Sequence, residues 1–300
     1  MNVREHVERK SAALQRTDPS PSPVGDSVAY PGPVGSHTAS AAAALFPSTE
    51  LVPLPGFRAV AEAVVAGDAS VGVLPIESSL AGPVAETHDL LWELSLSIVA
   101  ETVLPIVHCL AGPARVDLSA VRVVRSHPMA IDQCRELLAG LPHVSVIPVS
   151  TTAEAARLAA DEMDPTHVAI VGAEAASLYG LEVLADDVGD HTAYTRFVSV
   201  AAHTRLDVDR ASARTAFSFA TKHQPGALHA AIGPIARAGL DLQRLVSRPL
   251  PRTPWKYRFD AVVSGHPLDP AVRAALREVR AETRELRVVG VYEGHEQEDE

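Results

Sequence analysis

The sequence predicts an α/β chain built in layers and closed by a small βαββαβ module. Three observations carry that reading. From residue 28 to residue 202, short apolar runs of strand character alternate with segments whose apolar residues recur at helical spacing. A polar stretch at 207–212 then interrupts the pattern and reads as a linker. Beyond it, strand-like and helix-like segments follow in the order β-α-β-β-α-β, the ferredoxin-like arrangement.

Composition narrows the function classes. The 300 residues are 47% apolar and carry a net charge of −11, which argues against a nucleic-acid binder with its basic face. Residues 1–25 lack an apolar signal core and alternate Ser with Pro, so they read as a disordered leader, and 294–300 as an acidic, solvated tail. No apolar run reaches the roughly 18 residues of a membrane span. Two cysteines, Cys109 and Cys134, make no disulfide framework and fit a reducing cytoplasm. No metal-ligand spacing, P-loop or nucleophile elbow occurs, so neither a metal nor a cofactor is expected.

The elements follow in order. Residues 28–30 form a strand, and PGPVGSHT turns it into an Ala-rich helix. In that turn Gly32 and Gly35 let backbone amides approach an anion, and Ser36 or Thr38 is the N-cap. Phe57–Ala66 has a helical apolar stripe ended by Gly67. Residues 70–76 make a buried strand, followed by a polar turn with Ser78, Ser79 and Gly82 before a helix over 86–94. Strand carboxyl ends are where open α/β sheets bind ligands, which makes Ser78 and Ser79 candidates. Residues 96–107 continue as strand and cross to a second lobe near Pro105.

In that lobe, a strand over 121–125 ends in Ser126-His127-Pro128, and a helix is expected over 129–138. His127 reads as a structural histidine beside a proline turn. A strand over 144–149 precedes Thr151-Thr152, the cap of the next helix, and His167–Val171 is again a strand. A short helix closed by Gly180 leads to residues 190–202, where polar loop gives way to strand at Thr195-Arg196-Phe197. A chain passing twice between two lobes gathers the ends of these strands around one cleft. In the final module, strands over 215–221, 240–249, 255–264 and 286–292 enclose helices that begin near Gly226 and Asp269.

The stretches AYPGPVGS, LPIESSLAGPV, SHPMAIDQC, STTAEAA and TRF, in this order, closely resemble prephenate dehydratase. The GALH turn and LVSRP resemble the amino-acid-sensing ACT domain of bacterial forms. The resemblance covers roughly 28–293. It implies a two-lobed, type II periplasmic-binding-protein-like catalytic region at 26–205. The first lobe would comprise about 26–106 plus 188–205, and the second about 107–187. An ACT domain over 213–293 follows. The implied reaction is the loss of carbon dioxide and water from prephenate to give phenylpyruvate, without cofactor or metal.

On this resemblance Thr195, Arg196 and Ser79 are catalytic. Thr195 donates to the leaving hydroxyl and Arg196 forks a substrate carboxylate. Gly32, Gly35, Ser36, Ser78, Ser126, Thr152 and Phe197 surround prephenate, with Phe197 mostly packing. L-Phenylalanine is the implied effector, at Gly226, Ala227, Leu228, Ser247 and Arg248, in a cytoplasmic homodimer or homotetramer. Four positions depart from the family pattern. Ser78 replaces an Asn, Thr192-Ala193-Tyr194 lacks the Asn usually found before TRF, His37 stands where an aromatic is usual, and Val246 replaces a Glu. Two other readings stay open: a non-aromatising prephenate decarboxylase, and a catalytically silent amino-acid sensor.

Overall fold

The computed structural model describes residues 27–251 and 253–294, so the expected leader at 1–25 and the tail beyond Gly294 lie outside the described residues. Elements are numbered in chain order. The chain opens with β1 (Ser27–Pro31), α1 (His37–Leu45), β2 (Glu50–Leu54), α2 (Phe57–Ala66), β3 (Val71–Ser78), the short β4 (Gly82–Pro83), α3 (Ala85–Glu93) and β5 (Ser97–Ile106). It continues with β6 (Cys109–Gly112), β7 (Val123–Ser126), α4 (Pro128–Gln133), α5 (Arg135–Ala139), β8 (Ser145–Pro148), α6 (Thr152–Glu162), β9 (His167–Val171), α7 (Ala173–Leu178) and β10 (Glu182–Ala185). The last elements are β11 (Ala193–Ala201), β12 (Ala213–Thr221), α8 (Ala227–Arg237), β13 (Leu242–Pro249), β14 (Tyr257–Ser264), α9 (Pro270–Glu282) and β15 (Thr283–Glu293).

Two sheets result. One is five-stranded, in the order β10-β6-β9-β7-β8; the other has ten strands in the order β13-β14-β12-β15-β5-β11-β3-β1-β2, with β4 on β3. The chain leaves the larger sheet after β5 and returns at β11, which pairs antiparallel with both β3 and β5. β1 is buried along its whole length because it lies between parallel neighbours β2 and β3. α2 buries Val60, Ala61 and Val64, and stops at Gly67, whose φ of 82° is left-handed.

Three strands escape the periodicity reading. β2 contains Pro53 and sits at an open edge, while β6 and β10 are four residues each. The helix expected over 129–138 is two helices. Asp190, arriving on the return crossing, breaks it at Cys134: its carboxylate accepts from the Arg135 and Glu136 amides at 2.9 and 3.0 Å, and its own amide donates to Gln133 O at 2.7 Å. A carboxylate from 55 residues away thus starts the second helix.

The C-terminal βαββαβ unit has the strand order of a ferredoxin-like sheet, with α8 and α9 on one face over Phe217, Phe219, Ala261, Val263 and Val288. It is not a free-standing module. β15 runs parallel to β5 and meets it at Gly290 opposite Ile98. Any Cβ at Gly290 would lie 2.4 Å from Ile98 O, so only glycine permits this approach. Leu90, Leu91 and Ile98 share one apolar cluster with Ala216, Val262, Val289 and Tyr292. Trp92 at the end of α3 is flanked by Arg258 and Arg287, their guanidinium carbons 5.4 and 4.1 Å from its ring.

Candidate active site

A cleft of about 470 Å³ opens between the two sheets. The strand ends gather there as the sequence requires: Pro31 ending β1 and Gly32 after it, Ser78 ending β3, His127 after β7, Ser150 to Thr152 after β8, and Thr195 and Phe197 on β11. Thr195 and Ser78 are direct partners across the β11–β3 ladder, so their side chains emerge together. Ser36 caps α1 by accepting from Ala39 N at 3.2 Å, and Thr151 caps α6 by accepting from Glu154 N at 3.0 Å. Both helices therefore aim their amide ends, with their partial positive charge, at the cleft. Among the described residues, the cleft lining holds no Asp, Glu, Lys or Arg.

Gly32, Ser36, Ser78, Thr152, Thr195 and Phe197 line this space. Four residues expected there do not. Arg196 follows Thr195 in a strand, so it points to the opposite face. There its Nη1 donates to Glu101 Oε1 at 2.6 Å and its Nε lies 3.4 Å from Glu77 Oε2. Its guanidinium is thereby held on the face turned away from the cleft lining. Ser79 is held by the strand beside it: its amide donates to Tyr194 O at 2.8 Å, and its Oγ accepts from Tyr194 N at 2.9 Å. Ser126 is fully buried and donates to Ile170 O at 2.6 Å. Gly35 packs against Ala175 and Leu178 of α7, where a Cβ would come within 3.0 Å of Leu178.

Glu101, which no pattern in the sequence marks, organises the far side of β11. Its carboxylate has no exposed surface and accepts from Arg196, from Arg214 of β12 at 2.8 Å and from Arg244 of β13 at 3.1 Å. Glu77 adds a contact to Arg244 Nε at 3.2 Å. The strand that presents Thr195 is thereby tied to two strands of the C-terminal unit.

Three histidines line the cleft. His127 Nδ1 accepts from Met129 N at 3.2 Å and caps α4. His108, on the first crossing between the sheets, has its Nε2 2.9 Å from Gln133 Oε1. His37, the first residue of α1, lies edge-on to His108 with ring centroids 6.0 Å apart. Burial pushes His37 down to about 4, the His108 ring adding to the effect and Glu174 opposing it. Burial also lowers His108, against the hydrogen bond to Gln133, and lowers His127. The two cysteines are buried and their thiols pushed up by desolvation, Cys109 to about 11 and Cys134 to about 12.

In the C-terminal unit, Gly226 is left-handed and starts α8 at Ala227, and Leu228 packs on the helix-side core. Ser247 and Arg248 part company. Ser247 pairs with Phe259 on the helix face, whereas Arg248 pairs with Arg258 on the face toward α3. Arg248 Nη2 lies 2.8 Å from Asp89 Oδ2, and Arg258 Nη2 2.9 Å from Asp89 Oδ1. The Asp89 carboxyl sits below its usual range: burial opposes the shift, and the two guanidiniums outweigh it.

A family model described as prephenate dehydratase matches residues 28–205, which hold the five-stranded sheet, β1 to β5 and β11 of the larger sheet, and the residues lining the cleft. The chain belongs to the prephenate dehydratase family. The bifunctional chorismate mutase/prephenate dehydratase of Escherichia coli K12 is 33% identical over 296 residues, covering 97% of this chain and 76% of that protein. A solved prephenate dehydratase from Arthrobacter aurescens, in complex with L-Phe, is 30% identical, with a TM-score of 0.81 over 89% of this chain and 90% of that one. The solved structure of GqqA, described as a novel type of quorum quenching acylase, is 32% identical with a TM-score of 0.82, covering 90% of this chain and 98% of that one. The activity that goes with the prephenate dehydratase family is a lyase reaction, the decarboxylating dehydration of prephenate to phenylpyruvate in phenylalanine biosynthesis. Among the described residues, no helix is long and apolar enough to cross a membrane, and no three His, Cys, Asp or Glu are grouped to hold a metal ion.

Proposed function

We propose that the cleft carries out this reaction with Thr195 as the donor to the C4 hydroxyl and with the amide ends of α1 and α6 as seats for the substrate's carboxylates. The observation that carries the reading is Thr195 facing Ser78 in a cleft lined without a carboxylate. A dianion meets no like charge there, and helix dipoles supply the attraction that a guanidinium was expected to give. Ring carboxylate departure and hydroxyl departure are coupled by aromatisation, so a well-placed donor in a dry site suffices. Phe197 packs one wall, and Gly32 lets the backbone of the first turn close in, its φ of 96° being open to glycine.

The second part of the proposal is regulatory. On the two-lobed, periplasmic-binding-protein-like reading, residues 26–205 hold the cleft and 213–293 form an ACT domain. L-Phenylalanine binds that domain near Gly226, Ala227 and Leu228. Ser247, on the helix face with Phe259, fits such a site. Arg248, engaged with Asp89, fits a role in docking the ACT domain onto the catalytic region. β13 ends the ten-stranded sheet and supports pairing with a second copy in a homodimer or homotetramer in the cytoplasm.

The test is a cofactor-free incubation of purified protein with prephenate, followed by absorbance and mass spectrometry. Phenylpyruvate is the expected product. A product that has lost carbon dioxide and kept its hydroxyl would replace the dehydratase with a non-aromatising decarboxylase. No turnover, with tight amino-acid binding, would leave a sensor.

A further inference from the structure

The dehydratase reaction consumes a proton. Prephenate enters as a dianion. The ring carboxylate leaves as carbon dioxide, and its C–C bonding pair moves into the ring. The C4–O pair departs with the hydroxyl, which must gain H⁺ to become water, and phenylpyruvate remains as a monoanion. Thr195 can pass a proton on, but its hydroxyl needs a source to refill it. Among the side chains lining the cleft, the imidazoles are the groups whose ordinary pKa of about 6.5 lies nearest neutral pH.

These imidazoles are not equivalent. His127 has its Nδ1 committed to capping α4. His108, 4% exposed, has its Nε2 on Gln133 and its Nδ1 buried without a hydrogen-bond partner. His37 Nε2 is also buried without a partner. Two rings, each with an orphaned nitrogen, thus meet edge-on with centroids 6.0 Å apart, where a Cβ at Gly172 would reach within 3.0 Å of the His37 ring. Buried polar atoms are rarely left unpaired without a function that uses them.

We propose that His37 and His108 together take up one proton as prephenate enters, and that this proton leaves with the C4 hydroxyl as water. This rests on the dehydratase reading of the cleft. Around the pair, α7 presents the Glu174 carboxylate, which accepts from Ser40 Oγ at 3.0 Å, and α4 presents the neutral Gln133; the cleft the pair shares with Ser78, Thr195 and Phe197 brings no further charge. Burial disfavours the charged form of both rings, and the His108 ring disfavours it further on His37, so the pair takes up one proton at most. A dianion entering a space lined by no Lys or Arg reverses that preference.

The experiment has two arms. Prephenate is titrated calorimetrically at pH 7.5 into the slow Thr195→Ala variant, in two buffers of different ionisation enthalpy. Uptake of about one proton per site is expected, and most of it is lost when His37→Gln is added. In the second arm, kcat/KM of the parent protein falls about tenfold per pH unit between pH ~6 and ~8. His37→Gln lowers it about 100-fold at the acid end and removes the slope. His108→Gln, which keeps an amide near Gln133, gives the same loss of slope if the first variant folds poorly. Prephenate binding without proton uptake, or an unchanged slope in both variants, overturns the proposal. A packing role for His37 alone would lower the rate and leave both slope and proton count intact. Failure of the parent protein to bind or turn over prephenate would remove the dehydratase reading as well as the pair.

Discussion

Arg196 and Glu101 are joined at 2.6 Å across the face of β11 that turns away from Thr195. Neighbours in sequence therefore do different work. Thr195 looks into the cleft, and Arg196 anchors the strand that presents it to a carboxylate shared with the C-terminal unit.

Replacing that carboxylate exposes the cost of the arrangement. Glu101→Gln leaves three guanidiniums converging on a neutral amide in a buried site. Loss of one partner from a buried ion network typically costs about 3–5 kcal/mol. A urea midpoint within error of the parent's would contradict the account.

Arg196→Lys separates anchoring from substrate binding. A lysine cannot keep contacts to both Glu101 and Glu77 in fork geometry. The expected result is a fall in kcat, about tenfold, with KM changed far less. A selective rise in KM would return Arg196 to the substrate.

Thr195→Ala removes the donor and leaves the strand intact. A loss of about 10²-fold in kcat is expected, with partial rescue by Thr195→Ser, in steady-state assays at saturating prephenate. Parent-like turnover in the alanine variant would mean the hydroxyl is idle.

Stability responds to pH through the buried histidines. The folded state holds His37 at about 4, against an ordinary value of 6.5 in the unfolded chain. Between these values the unfolded chain binds more protons. The stabilising contribution is therefore complete above pH ~6.5 and is lost as pH falls toward ~4, amounting to up to about 3 kcal/mol from this residue. His37→Phe should flatten that part of a denaturation series measured across pH ~4 to ~7. An equally steep dependence in the variant would assign the effect to other groups.

Much of this architecture could be read in the chain before its structure. Apolar runs such as residues 71–76 and the helical stripe at Val60, Ala61 and Val64 carry their periods openly, and the turn after β3 lies where a strand end should carry ligand contacts. What stayed hidden depends on partners distant in sequence. The helix break at Cys134 is made by Asp190, and nothing local announces it. Arg196 reads as a ligand for an anion until Glu101 is found beneath it. Ser126 looks like a site residue beside His127, yet its hydroxyl serves Ile170 O. His37 and His108 are 71 residues apart and become a pair only when the chain crosses between sheets. Periodicity reports which face of an element is buried; it cannot say which buried carboxylate or carbonyl waits there.

The junction at Gly290 has a mechanical consequence. Long ladders run on both sides of it, yet β15 and β5 meet through one register pair, Gly290 with Ile98. The ten-stranded plate therefore has a narrow waist in its backbone ladder, and side chains carry the join: the apolar cluster of Ile98, Val289 and Tyr292 and the Glu101 ion network. Glu101 sits three residues along β5 from Ile98, beside that waist. Through that one carboxylate, Arg214 and Arg244 of the C-terminal unit and Arg196 of β11 are held like spokes at a hub, so the strand bearing Thr195 and the far half of the plate share a fixed point.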